Sequence, residues 1–360
     1  MMYRLLRLLF RASLGAFFRR IEVRGSHHLR ARGPVLIVAN HVNALVDPLL
    51  ILTRCRRRVT VTAKSTLRRN PLLAVVIRGL GAIEFHRAKD VAPASARSAN
   101  RDAIEACVAR LGAGGCVVVF PEGESHSEPR MHPFHGGAAR IALAFTMRHP
   151  STPLTVVPAA IHFERKERFR STAGIVLGES IDVAAWCRAH PDGHPRALTS
   201  VMESRVRELV ATEAMPREPT ATLRDLAADA ELIVAGAPIA AVGWINHIIP
   251  FALTRALVRR VSRDRDHVAS NAVFMGIPVF LGLYGLQAAA VAAITGSMFV
   301  AIAYAILLPY TGLVTLLYRD RLGLARRRLR ALVLQRRRRA ATVERRGAPH
   351  SSGTHFHACE

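Results

Sequence analysis

From residue 34 to 182 the chain alternates short apolar runs with longer stretches in which apolar residues recur every three or four positions. The short runs read as strands and the periodic stretches as amphipathic helices. Strands are predicted over 34–39, 59–63, 82–85, 116–120, 154–162 and 173–177. Helices are predicted over 48–54, 71–78, 98–111 and 138–148, with a further one over 197–212. Strands that are apolar along their length and alternate with helices predict an α/β domain, its mixed and mostly buried sheet flanked by helices.

Outside that block the pattern changes. Residues 2–20 carry Arg4, Arg7 and Arg11 at helical spacing on one face, with Leu5, Leu6, Leu9, Ala16 and Phe17 on or near the other. This predicts a basic amphipathic helix that lies in a membrane interface or packs as a core helix on the next domain; the first is the expectation. Arg7 and Arg11 interrupt the apolar stretch and no small-residue cleavage site follows, which argues against a secretory signal. Residues 232–253 form an apolar run of 22, interrupted by Asn246 and His247, and residues 272–318 form a run of 47 with no charge. A bilayer core takes about 20 residues of helix, so the second run has room for two crossings, with the turn at Gly296-Ser297.

Basic segments over 255–265 and 319–346 flank that long run, and the latter holds 12 arginines against Asp320 and Glu344. The positive-inside rule places both flanks in the cytoplasm, as in a hairpin. A full crossing by 232–253 would put the α/β domain and the 255–265 segment on opposite sides. Asn246, His247 and Pro250 are also unusual inside a span, so a re-entrant or interfacial segment is expected there. Core helices of a soluble second domain are the competing reading of all three apolar stretches. Leu322, Ala325, Leu329, Leu332 and Val333 stripe the arginine-rich tail and predict another interfacial helix, and the last ten or so residues read as disordered. The expected organisation is an interface helix over 1–30, an α/β domain over 31–215, an apolar membrane-associated helical region over 216–318 and a basic tail over 319–360.

Composition sharpens the partner. The net charge is +25 and half the residues are hydrophobic, a pairing that points to an anionic membrane surface. Aromatics are 6% and do not interleave with the basic residues, which argues against nucleic acid. Cys55, Cys107, Cys116, Cys187 and Cys359 form no paired metal spacing and read as free thiols of a reducing compartment. His126, His132 and His135 have no carboxylate or cysteine at ligand spacing in this reading, so no metal is expected.

Four blocks carry the chemistry. Asn40-His41 is followed by Asp47-Pro48. A strand then runs from Gly81 to Arg87, a second ends in Phe120-Pro121-Glu122-Gly123, and a third holds Pro158. A histidine is the natural proton acceptor for a hydroxyl, and a carboxylate on its second ring nitrogen fixes the tautomer. Residues at strand ends on one edge of a sheet are where open α/β proteins build sites.

In this order the blocks resemble the motifs of the glycerolipid acyltransferases, the family of glycerol-3-phosphate and 1-acylglycerol-3-phosphate acyltransferases. The similarity of pattern reaches from the N-terminal helix to about residue 181. It implies a membrane-bound enzyme of phospholipid synthesis, its catalytic domain on the cytoplasmic face. Acyl-CoA or acyl-carrier protein serves as co-substrate with no cofactor, and a glycerol phosphate or lysophospholipid is the acceptor. The resemblance implies His41 as general base, Asp47 as its orienting acid, Arg87 as a clamp on the acceptor phosphate, and Glu122 and Gly123 as residues shaping the acceptor pocket. Lys64, after the strand over 59–63, adds positive charge near that site. A non-catalytic lipid-binding scaffold that keeps the fold is the alternative.

One departure shapes the geometry. The family commonly has four residues between His and Asp, and here there are five, Val42 to Val46. Six steps at about 100° each leave His41 and Asp47 roughly 240° apart around a helix axis, so a loop must bring them together. Asp47 before Pro48 predicts a helix N-cap followed by proline at the first helical position. The Asn-His-x-Asn-x-x-x-Asp-Pro form is similar to a branch that includes fungal glycerol-3-phosphate and dihydroxyacetone-phosphate acyltransferases.

Overall fold

The computed structural model describes residues 1–30, 33–86, 93–126, 128, 130–212, 222–262 and 264–347. They fall into two compact units, one of residues 1–216 with 249–290 and the other of residues 217–248 with 291–360.

The first unit is built on a mixed sheet. Its strands are β1 (Arg20–Arg24), β2 (Val35–Ala39), β3 (Val59–Lys64), β4 (Ile83–Phe85), β5 (Cys116–Val119), β6 (Thr155–Phe163), β7 (Thr172–Leu177) and β8 (Ile181–Asp182). The order across the sheet is β1-β7-β6-β2-β5-β3-β4, with β8 also on β6. Pairings are parallel except those of β6 with β7 and with β8. The helices of this region are α1 (Met2–Phe17), α2 (Val46–Arg54), α3 (Pro71–Leu80), α4 (Pro93–Gly112), α5 (Gly137–Arg148), α6 (Val183–Ala189) and α7 (Pro195–Thr212).

Side chains alternate across the sheet with period two, and each face has its own core. Val35, Ile37, Ala39, Cys116 and Val118 pack with α1 and α2 on one side. Leu36, Val38, Val117 and Val119 pack with α4, α5 and α7 on the other. Strands covered on both faces must be apolar at every position, and for this reason β2 and β5 read as unbroken runs. Helix α3 shows the local signals plainly: Asn70 Oδ1 accepts from the Leu72 and Leu73 amides at 3.0 and 3.2 Å, Pro71 opens the helix, and Gly81 closes it at φ +65°. Strands β1 and β8 and helix α6 were not predicted.

Three longer helices follow, α8 (Leu223–Val261), α9 (Arg265–Thr295) and α10 (Met298–Gly347). The break between α9 and α10 falls at Gly296-Ser297, with Gly296 at φ +65°. Among the described residues these three are long and apolar enough to cross a membrane. The start of α9 belongs to the first unit's core, where Ala269 and Val273 are buried and Phe274 meets Phe10 of α1 at 5.3 Å. The C-terminal residues expected to be disordered, from 351 on, lie outside the described residues.

Candidate active site

The first motif begins where β2 ends. Asn40 is buried, its Nδ2 donating to Ile161 O at 3.1 Å and its Oδ1 accepting from Ile161 N at 2.7 Å. A side chain thus carries the β2–β6 ladder one step beyond the Ala39–Ala159 pair. The chain then turns, and α2 starts at Val46 with Leu45 at its N-cap. Asp47 lies inside the first turn, which corrects the expectation that it is the cap residue. The reason is Asn43, whose carbonyl accepts from the Val46 and Asp47 amides at 2.9 and 3.2 Å and starts the turn two residues earlier.

Freed from capping, the Asp47 carboxylate reaches back over the loop. Its Oδ2 accepts from the Val42 and Asn43 amides at 2.8 and 2.7 Å and meets His41 Nδ1 at 2.9 Å. One oxygen holds all three groups; Oδ1 is buried with no hydrogen-bond partner among the described residues. With the proton on Nδ1 shared with the carboxylate, Nε2 keeps its lone pair. The imidazole stacks on Phe120 at 4.5 Å and stays 15% exposed. A loop, not a helix face, brings His41 and Asp47 together, as their spacing requires.

The third motif supplies the other wall. Beyond β5 the Gly123 amide donates to Phe120 O at 3.0 Å, closing a tight turn with Gly123 at φ +76°. A β-carbon there would be strained by that backbone and would sit 3.0 Å from His135 Cδ2. The Glu122 side chain is fully buried and faces inward. Its Oε1 accepts from the His41 amide at 2.6 Å, and its Oε2 accepts from the His132 amide at 2.7 Å and pairs with His126 Nε2 at 2.6 Å. The His126 amide donates to His41 O at 3.3 Å, so the main chain of His41 is held on both sides.

Glu122, His126 and His132 are the group that could hold a metal ion among the described residues, with one ligating atom of each within 4.8 Å of the others. Glu122 is the carboxylate that the sequence reading did not connect with these histidines. The two imidazoles stack in parallel, 3.8 Å apart and 9° from coplanar alignment, and His132 Nε2 faces Glu128 at 3.2 Å. In-plane lone pairs of stacked rings run side by side instead of converging on one point. The grouping therefore has the geometry of a hydrogen-bonded cluster around Glu122.

The structure thus assembles His41, Asp47, Glu122 and Gly123 at the C-terminal ends of β2 and β5. Lys64 ends β3, half-buried, on the far side of β5 from β2 and in register with Phe85. Arg87, two residues past β4, lies outside the described residues. Sequence reasoning assigns Phe120 no role beyond its place in the third motif and does not connect His126 and His132 with the site; for the two histidines the available signal is their closeness in sequence to Glu122.

Residues 20–162 match the acyltransferase family model. An uncharacterized acyltransferase of Schizosaccharomyces pombe is 26% identical, covering 46% of this chain and 37% of that protein. Glycerol-3-phosphate O-acyltransferase 2 of Saccharomyces cerevisiae is 36% identical over 84 residues, which is 23% of this chain and 11% of that enzyme. Glycerol-3-phosphate O-acyltransferase 1 of the same yeast is 32% identical over 73 residues, 20% of this chain and 10% of that enzyme. The chain therefore spans well under half the length of these curated relatives. Among solved structures, the 1-acyl-sn-glycerophosphate (LPA) acyltransferase PlsC from Thermotoga maritima aligns with a TM-score of 0.45 at 23% identity, covering 59% of this chain and 81% of that one. Residues 20–162, which hold the four motifs in order, are thus an acyltransferase-type domain, similar over part of its length to the yeast glycerol-3-phosphate O-acyltransferases.

Proposed function

We propose that this chain is a membrane-bound O-acyltransferase that moves a fatty acyl group from a thioester to a hydroxyl of glycerol-3-phosphate or 1-acylglycerol-3-phosphate. The observation that carries the proposal is the 2.9 Å contact of His41 Nδ1 with a fully buried Asp47 carboxylate, in a ring that remains partly open to solvent. His41 Nε2 takes the acceptor hydroxyl proton as the oxygen attacks the thioester carbonyl. The C–S bond breaks, and the imidazolium returns the proton to the departing thiolate, leaving an ester and a free thiol. Asp47 orients the ring and stabilises the imidazolium. The acceptor supplies the nucleophile, so no acyl-enzyme forms.

In this reading Glu122 shapes the pocket by fixing the main chain of His41, and Gly123 keeps the adjoining turn open. Arg87 clamps the acceptor phosphate, since guanidinium matches phosphate oxygens in pairs, and Lys64 adds charge nearby. The long apolar helices and the net charge of +25 support attachment to an anionic membrane with the catalytic domain on the cytoplasmic face.

The test is a donor-by-acceptor assay of the full chain in detergent or lipid. Acyl-CoA and acyl-carrier protein are crossed with glycerol-3-phosphate, dihydroxyacetone phosphate and lysophosphatidic acid. Transfer in at least one pairing, lost in His41→Ala, is the expected result. No transfer in any pairing overturns the enzyme reading and leaves the lipid-binding scaffold.

A further inference from the structure

The loop from His41 to Leu45 has two further anchors, both outside the four motifs. The loop needs them for a physical reason. Ala44 sits at φ +26°, a strained conformation for a residue with a β-carbon, and such strain persists only where the surroundings hold it. The Leu45 amide precedes the first turn of α2 and has no partner within that helix. It donates instead to Ser270 Oγ at 3.1 Å. Ser270 is 2% exposed and stands on the first turns of α9, between buried Ala269 and Val273. From the other side Lys166, in the turn after β6, donates through Nζ to Val42 O at 2.6 Å and to His126 O at 2.9 Å. One ammonium thus ties the loop of the first motif to the turn of the third.

We propose that Ser270 and Lys166 are positioning residues for acyl transfer. They clamp the His41 loop from two sides, and through Ser270 the base of an apolar, membrane-length helix becomes part of the catalytic apparatus. This proposal rests on the acyltransferase reading above, while the clamp itself is a statement about the loop. Ser270→Ala removes the acceptor for one amide, and Lys166→Met keeps the aliphatic stem while removing the donors. Neither side chain takes or gives a proton in the reaction, so the expected effect is on how often the imidazole is correctly aimed. A misplacement of about 1 Å costs up to roughly a hundredfold in rate.

The experiment compares the full-length wild type, Ser270→Ala, Ser270→Thr and Lys166→Met in the same detergent. It measures kcat, KM and amide hydrogen exchange of the peptide covering residues 41–46. Ser270→Ala and Lys166→Met should each lower kcat about tenfold or more, leave KM within about twofold, and speed exchange in that peptide but not in β5 or β6. Ser270→Thr keeps the hydroxyl and should restore both readouts. Unchanged kcat and unchanged loop exchange in Ser270→Ala and Lys166→Met overturn the clamp. If Ser270→Ala does not fold, Ser270→Cys carries the same comparison, since a thiol fills the space as a weaker acceptor. If the wild type transfers no acyl group, the acyltransferase reading fails, and the exchange data still decide whether the loop is clamped.

Discussion

At the scale of single residues the site depends on one carboxylate oxygen. Asp47 Oδ2 is the common acceptor for His41 Nδ1 and two amides, so it sets the ring, the loop and the charge together. Asp47→Asn separates these roles. An amide oxygen in the same place still accepts from all three donors, but the negative charge beside the developing imidazolium is gone. An NH2 group then replaces Oδ1, which is buried without a partner among the described residues. That buried NH2 lacks an acceptor and should lower stability by about 1–3 kcal/mol; the variant should still fold and bind substrate while kcat falls by roughly 10²- to 10⁴-fold, checked by steady-state kinetics beside a melting curve. Wild-type kcat in Asp47→Asn would mean that the Asp47 charge does not assist the proton transfer. The pairing of His41 with Asp47 was legible in the sequence, and so was the need for a loop between them. The hold of Glu122 on the His41 amide was not, because a contact across 81 positions depends on β2 and β5 lying side by side.

At the scale of elements the same contrast recurs. Strands buried on both faces were legible as unbroken apolar runs, whereas β1 was not. It is an edge strand whose Ile21 and Val23 alternate with Arg20, Glu22 and Arg24, and it follows so closely on α1 that its pattern merges with the helix's last turn. Asp-Pro is a strong cap signal that predicts the start of α2 two residues late, and only the structure shows Asn43 O starting the turn. The Asn40 bracket on Ile161 belongs to this scale as well, since it locks β2 to β6 at the point where the His41 loop departs. Asn40→Ala leaves the Ile161 N–H and C=O buried without this partner, at about 1–3 kcal/mol each. The expected result is a loss of about 2–6 kcal/mol in denaturant unfolding. Wild-type stability would show that another group takes over both bonds. The elements also enclose the thiols: burial pushes Cys55 and Cys107 up to about 12 and Cys116 up to about 11 from the usual 9.0. Above pH 9 these thiols ionise in the unfolded chain while the folded chain keeps their protons. The unfolded state then binds fewer protons, so stability falls with rising pH. Melting temperature should drop between pH 9 and 11, and replacing the three cysteines with alanine should flatten that drop.

At the scale of the whole molecule, charge and apolar length make different predictions about how the chain is held. A protein kept on an anionic surface by arginines alone is released by salt, because the screening length shrinks to about 3 Å at 1 M. Helices that cross the bilayer are indifferent to salt. In the second unit one cluster of charge is paired internally: Asp229, buried near the start of α8, takes Arg321 and Arg328 from the middle of α10 at 2.8 Å each. Those two arginines lie seven residues apart on α10, close to two helical turns, and so present the same face to one carboxylate. The rest of the +25 charge stays open to screening, whereas α8, α9 and α10 are each long and apolar enough to cross a bilayer, and that anchor does not respond to salt. Membranes containing the chain should therefore retain it in the pellet through washes with 1 M sodium chloride and with carbonate at pH 11, and release it only to detergent. Release by salt alone would reduce the attachment to surface electrostatics, and α8, α9 and α10 would then have to bury their apolar faces within the protein or against a second copy.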